Sequence, residues 1–241
     1  MARESAVPAT SHYASHVMEK YSFAVSRMPK NGTILDVGMG TGFGIVNSGS
    51  PERFLGLDKN RFAIKLAEAE NPELRGRVFH GDARNFSQHN LAGITAFEII
   101  EHLGIKGKYD FIEAAHRAMK NGGVLVLSTP LSFGPVKTLN MHHIGKELTL
   151  EQLRELLEKR FRQTEYYGIG EMPQSFGKKI ALRVLEAVAS ADILYLRRLL
   201  PGKSRSAAFD KLLGKQTIQP LAQYLEKQKL PRNIIAVCKK G

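Results

Sequence analysis

The feature that most limits what this chain can fold into is a short apolar run, Thr33 to Val37, that passes straight into Gly38, Gly40 and Gly42. Glycines at the end of a buried strand permit a tight turn and let a ligand approach the backbone. Similar runs follow at Phe54 to Leu57, Arg77 to His80, Gly93 to Ile99 and Gly123 to Ser128. Helical stretches lie between them at Arg61 to Glu70, Gly107 to Lys120 and Thr149 to Lys159. Strands that alternate with helices of this length predict βαβ units and a parallel sheet in an α/β fold.

The helix ends carry their own signals. Asn121-Gly122-Gly123 reads as the stop of the helix that runs to Lys120. Thr149 and Gln152 form the two ends of a capping box, and Leu150, Leu153, Leu156 and Leu157 then share one helix face. Strands three and four are joined by only a short linker, so the intervening helix is expected to be very short. Residues 1–30 are expected to form an N-terminal helical segment, and 31–170 with 233–241 the sheet-bearing core. Phe161 to Gly168 is expected to be a sixth strand and Asn233 to Cys238 the last one, giving seven. Between them, 171–232 reads as a basic helical cap inserted before the last strand.

Charge narrows the partners. The chain has 35 Lys and Arg against 23 Asp and Glu, a net charge of +12, with 12 basic and 5 acidic residues inside 171–232. Such an excess favours anionic partners: nucleic acid, lipid headgroups or phosphorylated small molecules. It equally describes a solvated surface. The apolar stretch Ile180 to Leu200 with basic flanks fits either a lid over a site or peripheral contact with an anionic membrane. The single cysteine, Cys238, excludes an intramolecular disulfide and reads as a core residue. No apolar stretch of about 18 residues suggests a membrane span. No signal peptide is evident, and a cytoplasmic location is expected. The Gly-x-Ser-x-Gly and Cys-x-x-Cys patterns of triad hydrolases and zinc ribbons are also missing.

Three acids stand where strands end. Asp36 precedes the first glycine by two residues, a place that suits a ligand with an ammonium group better than a pyrophosphate. The glycine spacing is likewise not the G-x-G-x-x-G of a dinucleotide site. Asp58 ends the second strand and can accept hydrogen bonds from ribose hydroxyls. Asp82 ends the third and can accept one from an adenine amino group. All lie at the carboxyl edge of the expected sheet, where open α/β sheets bind ligands.

These elements together resemble class I S-adenosylmethionine-dependent methyltransferases, over about Tyr13 to Gly168 and the last strand. The ordered matches are the glycine loop with Asp36, then Asp58, Gly81-Asp82-Ala83, Phe97-Glu98-Ile99-Ile100-Glu101-His102, Met119 to Pro130, and Thr149 to Leu153. The resemblance implies a Rossmann-like seven-stranded sheet and S-adenosyl-L-methionine as cofactor. It implies a cofactor site of Asp36, Gly38, Met39, Gly40, Gly42, Asp58, Asp82, Ala83 and Glu98. The Glu-x-x-Glu-His pattern is similar to the branch that includes ubiquinone-biosynthesis, glycan-associated and small-RNA 2′-O-methyltransferases. In parts of that branch these side chains bind a divalent metal, joined in the small-RNA type by a downstream histidine.

Carried over, the resemblance makes Glu98, Glu101, His102 and His143 candidate ligands for Mg²⁺ or another divalent cation. It makes Glu101, His102 and His143 candidate catalytic residues. If a helix began at Glu98, Glu98, Glu101 and His102 would share one face. Alternatively the glutamates only line the cofactor pocket. The sequence departs from the pattern at Asn140-Met141-His142-His143, which Thr149 follows one residue late, and His143 keeps the spacing from Asn140. The expected reaction is O-methylation of a small-molecule, lipid-linked or glycan hydroxyl. RNA 2′-O-methylation and a non-catalytic cofactor-binding scaffold are the alternatives.

Overall fold

The computed structural model describes residues 12–132, 147–171, 217–228 and 230–241. His143 and most of the expected cap, 172–216, lie outside the described residues, as do residues 1–11.

Eight strands form one sheet: β1 (Ile34–Val37), β2 (Phe54–Asp58), β3 (Val78–His80), β4 (Leu91–Phe97), β5 (Met119–Pro130), β6 (Gln163–Glu171), β7 (Ile218–Pro220) and β8 (Pro231–Lys239). Their spatial order is β3-β2-β1-β4-β5-β8-β6-β7. The first five run parallel, whereas β8 is antiparallel to both β5 and β6. The α/β class is as expected, with one strand more than the expected seven. The extra strand, β7, pairs through Ile218 with Ile169 of β6 at the sheet margin. Its three residues hold one strongly apolar side chain, too few to signal a strand, and Pro220 is tolerated because the edge needs no further donor.

The central strands are apolar on both faces because helices cover both faces. All four residues of β1 are buried, as are the first six of β4. Successive side chains alternate between two cores. Leu35, Ile94, Leu125, Leu127 and Ile234 face α4 (Ile105–Ala118) and α5 (Leu150–Glu158), meeting Phe111, Leu153 and Leu157. Ile34, Val126 and Ile235 face the opposite way, toward α1 (His12–Arg27) and α3 (Arg61–Glu70), meeting Tyr21, Ala24, Met28 and Ala67. No helix among the described residues is long and apolar enough to cross a membrane.

Local signals explain most boundaries. Asn60 caps α3, its Oδ1 accepting from the backbone N–H of Phe62 and Ala63. Thr149 and Gln152 form both halves of the capping box of α5. The Asn121-Gly122-Gly123 sequence does not cap a helix. The helix α4 ends at Ala118, and Met119 already pairs with Leu91. Gly122 turns at φ +75° while its N–H donates to Lys240 O at 2.9 Å, so pairing with the end of β8 takes these residues into the sheet. Strand β4 lies two residues earlier than expected, and residues 81–90 contain no helix. The last strand starts at Pro231, so 231–232 belong to the sheet, and α6 (Leu221–Glu226) buries Leu221 and Tyr224 beside it.

Replacing Leu157, fully buried between α5 and the sheet, by alanine leaves a cavity. The expected loss of stability is about 2–5 kcal/mol. Urea unfolding followed by circular dichroism should show the midpoint fall with an unchanged slope.

Candidate active site

The glycine loop turns sharply off β1. Gly38, Gly40 and Gly42 have φ of +77°, +57° and +77°, and Gly38 N–H donates to Leu57 O of β2 at 2.7 Å. A Cβ on Gly38 would lie 2.0 Å from Ile99 Cδ1, and one on Gly42 2.4 Å from Leu74 Cδ1, so both are packed from within. A Cβ on Gly40 would meet nothing within 4 Å. Its backbone therefore borders open space, and this is where a ligand can approach. Met39 lies in the core instead, its sulfur against Gly56. Beyond the loop the chain makes the single turn α2 (Phe43–Val46).

The two acids beside the loop are both tied down. Asp36 is buried, with Oδ2 accepting from Tyr21 Oη at 2.6 Å and Oδ1 from Thr95 Oγ1 at 2.7 Å. Burial outweighs these hydrogen bonds and raises its pKa to about 6. Both oxygens are thus occupied within the protein, and Asp36 serves as an anchor beneath the loop. Asp58, at the tip of β2, accepts from the N–H of Gly40 at 2.9 Å through Oδ2 and from the N–H of Asn60 at 2.8 Å through Oδ1. It holds the open glycine in place while staying partly exposed.

Next to β2 and β3 is a cleft of about 340 Å³, lined by Leu57, Phe79, Gly81, Asn85, Phe86 and Gln88 among others. Its apolar walls and scattered amide groups suit a flat heteroaromatic ring. Asp82 beside it accepts from Arg84 Nε at 2.8 Å and from the Arg84 backbone N–H at 2.8 Å. Hydrogen bonds from the Arg84 side chain hold its carboxyl down to about 2. Ala83 between them packs partly buried against the core.

At the end of β4 two carboxylates have opposite character. Glu98 takes a left-handed φ of +55°, and its N–H donates to Ser128 O at 3.0 Å. Its Oε1 accepts from Lys20 Nζ at 2.7 Å and from Ser128 Oγ at 2.6 Å. Desolvation works against the charge, yet the Lys20 ammonium and these hydrogen bonds keep its pKa below the ordinary value. Arg232 on β8 adds a second positive charge to the field at Glu98. Glu101 is fully buried. Its Oε2 accepts from Thr129 Oγ1 at 3.2 Å, and its Oε1 has no hydrogen-bond partner among the described residues. Burial first, and the neighbouring Glu98 second, push its pKa up to about 8.

The condition for a shared helix face, a helix beginning at Glu98, is not met. With Glu98 left-handed, the i, i+3, i+4 register never starts, and residues 100–102 form only one 3₁₀ turn. Glu101 points in and His102 is exposed. Lys108 fixes this turn, its Nζ donating to Ile100 O at 2.9 Å and Leu103 O at 2.7 Å. Among the described residues no three His, Cys, Asp or Glu side chains converge as metal ligands. The Lys20 ammonium already occupies the cationic position on Glu98. The donors among the described residues therefore do not fit a divalent ion, and no step is assigned to one.

Sequence reasoning missed Lys20, Tyr21, Thr95, Ser128, Thr129 and Lys108. One signal was available. Thr95 interrupts the apolar run Leu91 to Phe97, and Ser128-Thr129 ends the run from Val124, so each was a polar residue at a core position. Lys20 and Tyr21 gave none, because their partners are 78 and 15 residues away.

Residues 34–123, which contain the glycine loop, Asp58, Asp82, Glu98 and Glu101, match a family described as a methyltransferase domain. No curated protein matches the sequence. Among solved structures, the fold is similar to that of a SAM-dependent methyltransferase from Archaeoglobus fulgidus, with TM-score 0.58, 16% identity and 94% of each chain covered. It is also similar to a TehB-like SAM-dependent methyltransferase from Corynebacterium glutamicum, with TM-score 0.55 and 17% identity over 92% of this chain and 88% of that one. A third is the O-methyltransferase of a trans-AT PKS multienzyme from Brevibacillus brevis, in complex with S-adenosyl-L-homocysteine, with TM-score 0.53 and 17% identity over 93% of this chain and 72% of that one. The glycine loop thus lies at the carboxyl edge of the sheet within the stretch that matches a methyltransferase domain, and the chain has the fold of the SAM-dependent methyltransferases it is similar to.

Proposed function

We propose that the enzyme methylates a hydroxyl group on a small-molecule, lipid-linked or glycan acceptor. The observation that carries this reading is Glu101, a buried carboxyl whose Oε1 has no hydrogen-bond partner among the described residues and whose pKa burial raises to about 8. S-adenosylmethionine supplies a methyl group on a positively charged sulfur, already activated for displacement. The protein must therefore align the acceptor and take its proton. The acceptor oxygen bonds to the methyl carbon as the carbon–sulfur bond breaks, and the electron pair goes to sulfur. The hydroxyl proton passes to the Glu101 carboxylate and then to solvent. A base whose pKa lies close to the working pH is the most effective one. Thr129 holds the other Glu101 oxygen and fixes its direction. Exposed His102 is a weaker candidate, and His143 lies outside the described residues.

The residues expected to meet the cofactor are Gly40, Asp58 and the cleft beside Phe79. Open space at Gly40, and the Asp58 carboxylate hydrogen-bonded to it, support that placement. The segment 172–216 lies in sequence between β6 and β7, strands that pair with each other. Its excess of basic residues supports a part in recognising an anionic acceptor.

Two outcomes test this reading. Protein incubated with methyl-labelled S-adenosylmethionine and fractionated lysate should place label in the lipid or small-molecule fraction. Label in RNA alone would replace the acceptor by RNA, and label in protein alone would remove both. Glu101→Gln should lower kcat by about 10²–10⁴-fold, the range for loss of a general base. In the unmodified enzyme kcat should rise as pH rises through about 8, because Glu101 acts only after losing its proton. A flat profile would remove Glu101 from the proton transfer.

A further inference from the structure

The edge of the sheet opposite the glycine loop gathers cations. Strands β1 to β6 start there, and β8, which runs the other way, ends there. Lys30 and Arg53 stand just before β1 and β2, and Arg117 and Lys120 flank the passage from α4 into β5. Lys239 and Lys240 stand at the end of β8, and Arg162 precedes β6. Close contacts join them into one row. Arg53 reaches across to the chain before β1, its Nε donating to Gly32 O at 3.2 Å and its Nη2 to Pro29 O at 2.6 Å. A Cβ on Gly32 would lie 3.4 Å from Lys120 Nζ, and Lys240 Nζ donates to Met119 O at 2.7 Å. Beyond Lys240, His116 has its pKa held below the ordinary value, by burial first and then by the charges of Lys240 and Arg160.

These charges are not spent within the protein. Elsewhere cations meet acids, as Lys20 meets Glu98, Arg84 Asp82 and Lys106 Asp110. In the row, Arg160 pairs with Glu113, its Nε donating to Oε1 at 2.6 Å. Glu52 stands exposed in the same stretch, yet none of the other row cations has a carboxylate partner among the described residues. Like charges left side by side repel, so the row works against the compact state unless an anion covers it. Its shape narrows the choice of anion. From β2 to β6 there are five steps between neighbouring strands, a length of about 24 Å. Sheet twist of about 20–25° per step turns the row as it goes, and a flat bilayer cannot follow it. The two most exposed large apolar side chains among the described residues, Ile105 and Phe62, stand at the other edge, where α4 and α3 begin. The row therefore offers a membrane no apolar anchor, and a flexible polyanion fits it better.

We propose that this amino edge docks the phosphate backbone of a single-stranded nucleic acid. A strand laid along the row meets a cation at successive strand ends and releases its own counterions as it binds. Arg53 and Lys240, held by main-chain carbonyls, fix the middle of the row. Lys30, Arg117, Arg162 and Lys239 are exposed and reach outward to phosphates. No exposed Phe or Tyr stands in the row, so bases find no ring to stack on and the docking is independent of sequence. Gly40 and Asp58 lie at the opposite ends of the strands, so a docked strand leaves the glycine loop uncovered. The assignment goes beyond the methyl acceptor proposed above and does not depend on it.

Fluorescence anisotropy of a dye-labelled single-stranded RNA, titrated with the full chain, tests it. An RNA of about 12 nucleotides outspans the row, which covers about 7 at about 3.4 Å each. Binding should have a Kd of about 1–100 μM at physiological salt and tighten as salt falls. The slope of log K against log salt should be about −3 to −5, or about −0.7 for each phosphate neutralised. Lys30→Gln, Arg117→Gln and Lys239→Gln together should flatten that slope by about 2 and weaken binding about 10–100-fold at low salt. The unfolding midpoint should stay in place, since all three side chains are exposed. Parent protein that ignores the RNA, or binds it without salt dependence, overturns the proposal. Equal binding by the triple variant also overturns it and moves the contact to another surface, such as the basic segment 172–216. Phosphatidylserine vesicles that capture the protein when the RNA does not would replace the nucleic acid by an anionic membrane.

Discussion

Asp36 ends the central strand beneath the glycine loop, and its two oxygens receive Tyr21 from helix α1 and Thr95 from strand β4. One carboxylate thus ties three elements together at the edge where the loop, Asp58 and the carboxylate pair all gather. The tie works because every polar atom in it is satisfied. A buried network of this kind rigidifies its surroundings, whereas the same carboxylate without donors would cost several kcal/mol. With the network in place, Tyr21 packs edge-on against Phe97 and Lys20 is carried to Glu98. The geometry of this edge therefore depends on a carboxylate held by partners within the protein.

Glu98 and Glu101 are three residues apart and chemically alike, yet their surroundings separate them. Glu98 meets an ammonium and a hydroxyl and stays ionised. Glu101 is enclosed, sees mainly the negative charge of Glu98, and holds its proton to near neutral pH. Two identical groups pushed in opposite directions provide one fixed charge and one movable proton. Backbone geometry sets the difference. The left-handed turn at Glu98 points it across to Ser128, and the 3₁₀ turn that follows, pinned by Lys108, sends Glu101 inward.

Much of this was legible in the sequence because it is local. The glycine spacing, the runs ending in Asp58 and Asp82, and the capping box at Thr149 and Gln152 are each set within a few residues. The failures share one cause, the intervention of a distant partner. Asn121-Gly122-Gly123 has the composition of a helix stop, but Lys240 claims Gly122 from the far end of the chain. The shared helix face that Glu98, Glu101 and His102 would have had does not form, and Glu98 instead accepts from Ser128, thirty residues away. Lys20 could not be found at all, since nothing near it in sequence reveals where its ammonium goes.

The marginal position of β7 separates two problems that an enzyme of this kind must solve. It pairs with β6 alone and lies at the opposite side of β1 from β3. The two strands that bound the chain between β6 and β7 therefore pair with each other at the rim, apart from every register from β1 to β5. Lengthening such an insertion is cheap, since each doubling of a flexible loop costs only about 0.6 kcal/mol in closure. The rim is thus a graft point. A change of length there leaves the registers that hold the glycine loop and its acids unaltered.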